Sequence, residues 1–232
     1  MWETVESGRS GDVVQANRGV VRKTSAGAPA EAEKLVWLGN QGLPVPEVFD
    51  VGADWYEMAR VPGRSADSTW PASQANSVID AIADVLIALH DLDANQCPFN
   101  RTLDFTVAAA VDAVQHGKVD TADLDAEREG WTADRLLAEL RRTRPTHEDV
   151  VVAHGDLCLD NLIVDGHTVT LIDVPRLGRA DRHLDLALLT RDLADSWTAS
   201  CPDQATHRLI GRYGIELDPT LVTFYRLLDE FF

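Results

Sequence analysis

The chain has 232 residues, 45% hydrophobic and 25% charged, a composition that supports a packed core in one large domain or two small ones. Its 38 Asp and Glu outnumber 21 Lys and Arg, and the net charge of -17 excludes the basic surface that broad nucleic-acid or anionic-membrane binding needs. Cys97, Cys158 and Cys201 are too scattered for a zinc site, no signal sequence is visible, and no apolar run approaches the roughly 18 residues of a membrane span, so a cytoplasmic protein is expected.

Residues 1–60 read as β-rich with one helix. Val13-Val14 and Val20 to Lys23 flank Asn17-Arg18-Gly19, a turn of the kind that closes a hairpin. Pro29 can open a helix running through Leu35, Val36 and Leu38 to a stop at Gly42. Val45 to Val48 and Trp55 to Val61 look like short strands. From about residue 71 the pattern turns helical, with Val78, Ile82, Val85, Leu86 and Leu89 at helical spacing, then Val107, Val111 and Val114. A second irregular section covers Val150 to Gly178, and helices return from about Asp185. The shift near Pro62-Gly63 marks the expected boundary between a small mixed lobe, 1–61, and a larger, mainly helical one, 62–232.

The chemistry concentrates in Val151-Val-Ala-His154-Gly155-Asp156-x4-Asn161, followed by a hairpin through Asp165-Gly166 and an apolar strand ending at Ile172-Asp173. This pattern places a carboxylate, an amide and a second carboxylate at neighbouring strand ends. Phosphoryl transfer uses such a set: one carboxylate for the attacking hydroxyl, and oxygen ligands for Mg²⁺. Asp and Asn also serve turns by local hydrogen bonding, so these three residues alone leave both readings open.

The motif, with Arg176-Leu-Gly-x-Ala-Asp-Arg182, Asp185-Leu-Ala-Leu, Thr190-Arg-Asp-Leu-Ala194 and the closing Phe224-Tyr-Arg-Leu-Leu-Asp-Glu-Phe-Phe232, resembles the aminoglycoside 3'-phosphotransferases of the kanamycin and neomycin kinase type. The resemblance runs from Gly8 to the last residue. It implies an α+β, protein-kinase-like two-lobed fold and ATP-dependent phosphorylation of an aminoglycoside at its 3'-hydroxyl, conferring resistance. It also implies Asp156 as the catalytic carboxylate, and Asn161 and Asp173 as Mg²⁺ ligands.

For ATP, the resemblance points to Ser10 in Gly8-Arg-Ser10-Gly11, to Lys23 paired with Glu31, and to the backbone of Ala59 and Val61 beside the adenine. For the drug it points to Asp123, Asp125 and Glu127, to Arg176 and Arg191, to Asp192 and Asp195, and to Asp229, Glu230 and Phe232. Read without it, Gly8 to Gly11 is a hairpin turn, Glu31 a first-turn helix charge, and Asp192 and Asp195 solvated helix residues. His90 and His154 are expected to be structural, and Cys158 incidental. The usual Asp-x-Gly of the family is Asp173-Val174-Pro175 here, and since proline lacks an N–H and fixes φ, the loop around Asp173 is expected to differ. Two competing functions stand beside the first: a kinase of another cationic small molecule, and a nucleotide-binding pseudokinase. A monomer or weak dimer is expected, with no nucleic-acid or membrane partner.

Overall fold

The computed structural model describes residues 3–7, 13–197 and 202–232. Five strands, β1 (Glu3–Ser7), β2 (Val13–Asn17), β3 (Val20–Thr24), β4 (Val48–Val51) and β5 (Trp55–Ala59), form one antiparallel sheet in the order β1-β2-β3-β5-β4. The β2–β3 hairpin closes at Arg18 and Gly19, whose φ values of 48° and 87° are the paired left-handed conformation of a tight two-residue turn. Helix α1 (Ala28–Asn40) follows β3, with Pro29 in its first turn and Gly42 at φ 83° just beyond its end. It buries Ala28, Glu31, Ala32, Leu35 and Leu38.

The strand expected over Val45 to Val48 begins only at Val48. Pro44 and Pro46 supply no amide donors there, and the Pro44 carbonyl instead accepts from the Leu171 amide at 2.9 Å.

Beyond β5 the chain changes partner. Strand β6 (Arg64–Ser65) pairs with β8 (Leu162–Asp165), which forms the expected hairpin with β9 (Thr168–Leu171). Strand β7 (Val150–Ala153) pairs with β10 (Gly178–Asp181). Among the described residues, six helices surround these small sheets: α2 (Ala72–His90), α3 (Leu103–Gln115), α4 (Ala133–Thr143), α5 (His183–Asp195), α6 (Pro202–Tyr213) and α7 (Pro219–Asp229). Local chemistry sets several of their ends. Thr132 Oγ1 accepts from the Arg135 amide to cap α4, and an Asp218 carboxylate oxygen accepts from the Thr220 amide to cap α7 behind Pro219.

Among the described residues, α2 is long and apolar enough to cross a membrane, at 19 residues and a mean hydropathy of 1.3, which the apolar-run reading did not anticipate. Its surroundings explain the apolarity. Val78, Ile79, Ile82, Leu86 and Leu89 lie in the larger core, while Asp80 and Asp84 on its outer face take forked bonds from Arg208 and Arg212 of α6. It is a core helix.

Candidate functional site

Strand β3 delivers Lys23 to the interior, where only 4% of the residue is exposed. Burying an ammonium is costly unless charges face it. Two do: Glu31 Oε2 of α1 at 2.8 Å and Asp173 Oδ1 at 2.5 Å. Burial works against the charged ammonium, but the two carboxylates outweigh it and hold the Lys23 pKa above its ordinary value. Burial pushes the Glu31 carboxyl up, opposed by Lys23.

The loop around Pro175 is held by helix α1. Asp173 has φ 55°, the Val174 amide donates to Glu31 Oε1 at 3.2 Å, and the Pro175 carbonyl accepts from Lys34 Nζ. Helix α1 thus clamps the loop beyond Asp173, while the half-exposed Asp173 side chain meets Lys23.

The loop after β7 carries Asp156. Gly155 has φ 85°, and a Cβ there would lie 2.2 Å from the Arg176 carbonyl oxygen, so both the conformation and the space require glycine. Asn161, at the end of a 3₁₀ turn over Leu159–Asn161, donates from Nδ2 to the Asp156 carbonyl at 2.8 Å. That bond fixes the amide and leaves its oxygen as the acceptor. Burial pushes the Asp156 carboxyl up, and the Arg176 guanidinium, 3.4 Å away, opposes the shift.

His154 and His90, the two histidines expected to be structural, both meet Asp185. Completely buried, it accepts from the His154 amide at 2.7 Å and the Gly155 amide at 2.8 Å, and lies 3.1 Å from His90 Nε2. Burial alone would raise its carboxyl; the His90 hydrogen bond and the Gly155 amide hold it below the ordinary range. The sequence carried a signal for this residue that was not used, an aspartate inside the apolar run His183-Leu-Asp-Leu-Ala-Leu-Leu189.

The remaining acids divide into two groups. Asp123, Glu127 and Asp195 are exposed. The others are already engaged by the chain itself. Arg128, 4% exposed, pairs with Asp125 and with Glu230 at 3.3 Å, and the Asp125 amide donates to Glu230. Burial and the neighbouring Asp125 push the Glu230 carboxyl up to about 7. Asp229 accepts from Arg176 at 2.8 Å and from Arg191 at 2.9 Å. Asp192 accepts from the Leu159 amide at 2.9 Å, steadying the turn that carries Asn161. Arg176 also donates to the Phe232 carbonyl at 2.7 Å. Sequence reasoning missed Arg128, although Asp125-x-x-Arg128 is ion-pair spacing. It also missed Arg101, which lines the small cavity with Gly155, Arg176, Asp229 and Phe232. Burial and the Arg176 charge lower the Arg101 pKa to about 10. Ala59 ends β5 with its amide donating to the Glu47 carbonyl at 2.8 Å, and Val61 lies in the link toward β6. Ser10 lies outside the described residues.

Two regions distant in sequence therefore meet: Lys23, Glu31 and Asp173 on one side, and Asp156, Asn161 and Arg176 on the other. Residues 2–220 match the model of the phosphotransferase enzyme family. The chain is 43% identical to an aminoglycoside 3'-phosphotransferase of Streptomyces fradiae, over all of this chain and 95% of that one. It is 36% identical to a streptomycin 3''-kinase of Streptomyces griseus, over 98% and 91%. Among solved structures, an aminoglycoside-3'-phosphotransferase of type VIII superposes with a TM-score of 0.90 at 43% identity, covering 100% and 93%. An aminoglycoside phosphotransferase of Streptomyces rimosus, in complex with ADP and streptomycin, gives 0.86 at 33%, covering 99% and 92%. With its antiparallel sheet lobe and helical lobe, this chain has the protein-kinase-like fold and belongs to the phosphotransferase enzyme family, among its aminoglycoside phosphotransferases.

Proposed function

We propose that the chain transfers the γ-phosphoryl group of ATP to the 3'-hydroxyl of an aminoglycoside, in the cytoplasm, at the seam between residues 1–61 and 62–232. The observation that carries this reading is the joining of the Lys23–Glu31–Asp173 ion pairs to the loop bearing Asp156 and Asn161, where the Ile172 amide, next to Asp173, donates to the Asn161 carbonyl at 3.1 Å. The regiochemistry is supported by relatives at 43% and 46% identity that are both named 3'-phosphotransferases.

In this reading the Asp156 carboxylate accepts the proton of the attacking hydroxyl, and the burial that raises its pKa makes it a stronger base once ionised. The Asn161 amide oxygen and the Asp173 carboxylate are hard oxygen donors of the kind Mg²⁺ selects, and they fit that ion. Magnesium, when bound, neutralises charge on the phosphates. Lys23, held in place by Glu31, exchanges its Asp173 contact for a phosphate oxygen, with Ser10 adding a hydroxyl donor. The Ala59 amide is spent on Glu47, so the adenine edge meets the Ala59 carbonyl and the Val61 amide. On the drug side, exposed Asp123, Glu127 and Asp195 receive ammonium groups directly. Asp125, Asp192, Asp229 and Glu230 do so in company with Arg128, Arg176 and Arg191, and Phe232 closes that end. One chain supplies every group named, consistent with a monomer or weak dimer.

The test is turnover of a panel with Mg-ATP: kanamycin, neomycin, a 3'-deoxy analogue and streptomycin, read by ADP release and product mass. Kanamycin and neomycin should gain one phosphoryl group and the 3'-deoxy analogue none. Turnover of streptomycin alone would move the reaction to another hydroxyl, and nucleotide binding without turnover would leave a pseudokinase. Asp173→Asn is expected to weaken Mg-ATP binding by at least about 10-fold, since it removes a charged oxygen ligand; isothermal titration with a non-hydrolysable ATP analogue and Mg²⁺ reads this directly. Unchanged affinity would remove Asp173 from the metal site.

A further inference from the structure

The buried network under the Asp156 loop extends past Asp185 to groups with no part in the reading above. Arg182 Nη1 donates to the Tyr213 hydroxyl at 2.9 Å. The same hydroxyl lies 2.7 Å from His90 Nδ1, and His90 Nε2 lies 3.1 Å from Asp185 Oδ2. The two rings stand edge to face, 5.6 Å between centroids, at the junction of the α2 and α6 C-terminal ends.

Elementary donor chemistry orients this chain of bonds. A guanidinium donates and never accepts. The Tyr213 oxygen therefore accepts from Arg182, and its own proton is available to His90 Nδ1. When Nδ1 accepts that proton, the ring proton lies on Nε2, facing a carboxylate that also takes the His154 and Gly155 amides. With the other tautomer, the Nε2 lone pair would face the Asp185 oxygen, and the anchor of the loop would lose a donor and gain a repulsion.

We propose that Tyr213 is a positioning residue for phosphoryl transfer: held by Arg182, its hydroxyl selects the Nε2–H tautomer of His90 and, through His90 and Asp185, fixes the backbone that presents Asp156. The kinetic consequence rests on the proposed role of Asp156; the tautomer does not. Among the described residues, nothing in the relay touches the nucleotide or drug side chains named above, so its loss bears on kcat rather than on binding.

Two measurements test it on the full chain. In ¹⁵N–¹H correlation spectra at neutral pH, wild-type His90 should appear neutral and protonated at Nε2, with Tyr213→Phe shifting it toward Nδ1 protonation. A wild-type ring carrying a proton on Nδ1, as the other tautomer or as imidazolium, overturns the proposal. With kanamycin and Mg-ATP, Tyr213→Phe should lower kcat about 5- to 10-fold, the size expected from losing one buried hydrogen bond, with both KM values within about twofold. His90→Gln offers an amide donor toward Asp185 that needs no tyrosine. In that background Tyr213→Phe should have no further effect on kcat. An equal loss in both backgrounds would make Tyr213 mere packing and defeat the proposal. If neither kanamycin nor neomycin is a substrate, the proposed function fails, while the spectra still decide the tautomer.

Discussion

Asp156→Asn should lower kcat by about 10²- to 10⁴-fold, the range that a positioned general base contributes, while nucleotide affinity stays within about twofold. The geometry makes this substitution clean. Asn161 is tied to the Asp156 carbonyl rather than to its side chain, so the neighbouring amide keeps its place when the carboxylate becomes an amide. Arg176 loses one distant partner at 3.4 Å but retains Asp229 and the Phe232 carbonyl. The pH profile adds a signature. Burial raises the Asp156 pKa, and only the ionised form accepts a proton, so wild-type kcat/KM should climb as pH rises through that raised value. The residual activity of the variant should lack this limb. Single-turnover rates at saturating Mg-ATP and kanamycin separate the chemical step from product release. Wild-type rates in the variant would remove Asp156 from the reaction.

Asp185→Ala is expected to be the most damaging substitution for the fold, costing about 3–5 kcal/mol, as when one partner of a buried charged network is deleted. Two backbone amides and the His90 ring lose their acceptor together, in a site with no solvent to replace it. For a chain of this length that corresponds to a fall in melting temperature on the order of 10 °C, measurable by calorimetry. Asp185→Asn keeps the shape but turns one oxygen into a donor facing donors, so it should be only partly rescued. A change of a degree or two in Asp185→Ala would mean that the loop is held by something else.

What was legible in the sequence was chemistry that is local in the chain. The Arg18-Gly19 hairpin, the Pro29 start of α1, the Asp165-Gly166 turn and the apolar strand before Asp173 all depend on neighbours within a few residues. His154-Gly155-Asp156-x4-Asn161 could be read as a carboxylate-and-amide set for the same reason. The strand before Trp55 was misplaced because Val45 and Val48 look β-forming, while two prolines deny the ladder its donors. Pairing across the fold was hidden. The acids near the C-terminus read as open charges for a polycation, yet Arg128, Arg176 and Arg191 come from elsewhere to occupy several of them. Asp185 reads as a helix charge until the chain closes over it, and no sequence spacing connects it to a loop some thirty residues earlier.

The contact at Gly155 has a mechanical consequence. Its α-carbon sits so close to the Arg176 carbonyl that not even a methyl group fits between the two loops. The loop of Asp156 and the loop running from Asp173 to Arg176 therefore meet main chain to main chain at Gly155, beside the side-chain contact of Arg176 with Asp156. Main chain cannot switch rotamer, so the spacing between the backbones that carry Asp156 and Asp173 behaves as a fixed gauge length. Side chains around the rim can be exchanged to suit differently shaped guests, and the distance across which a group must travel stays where the backbone sets it.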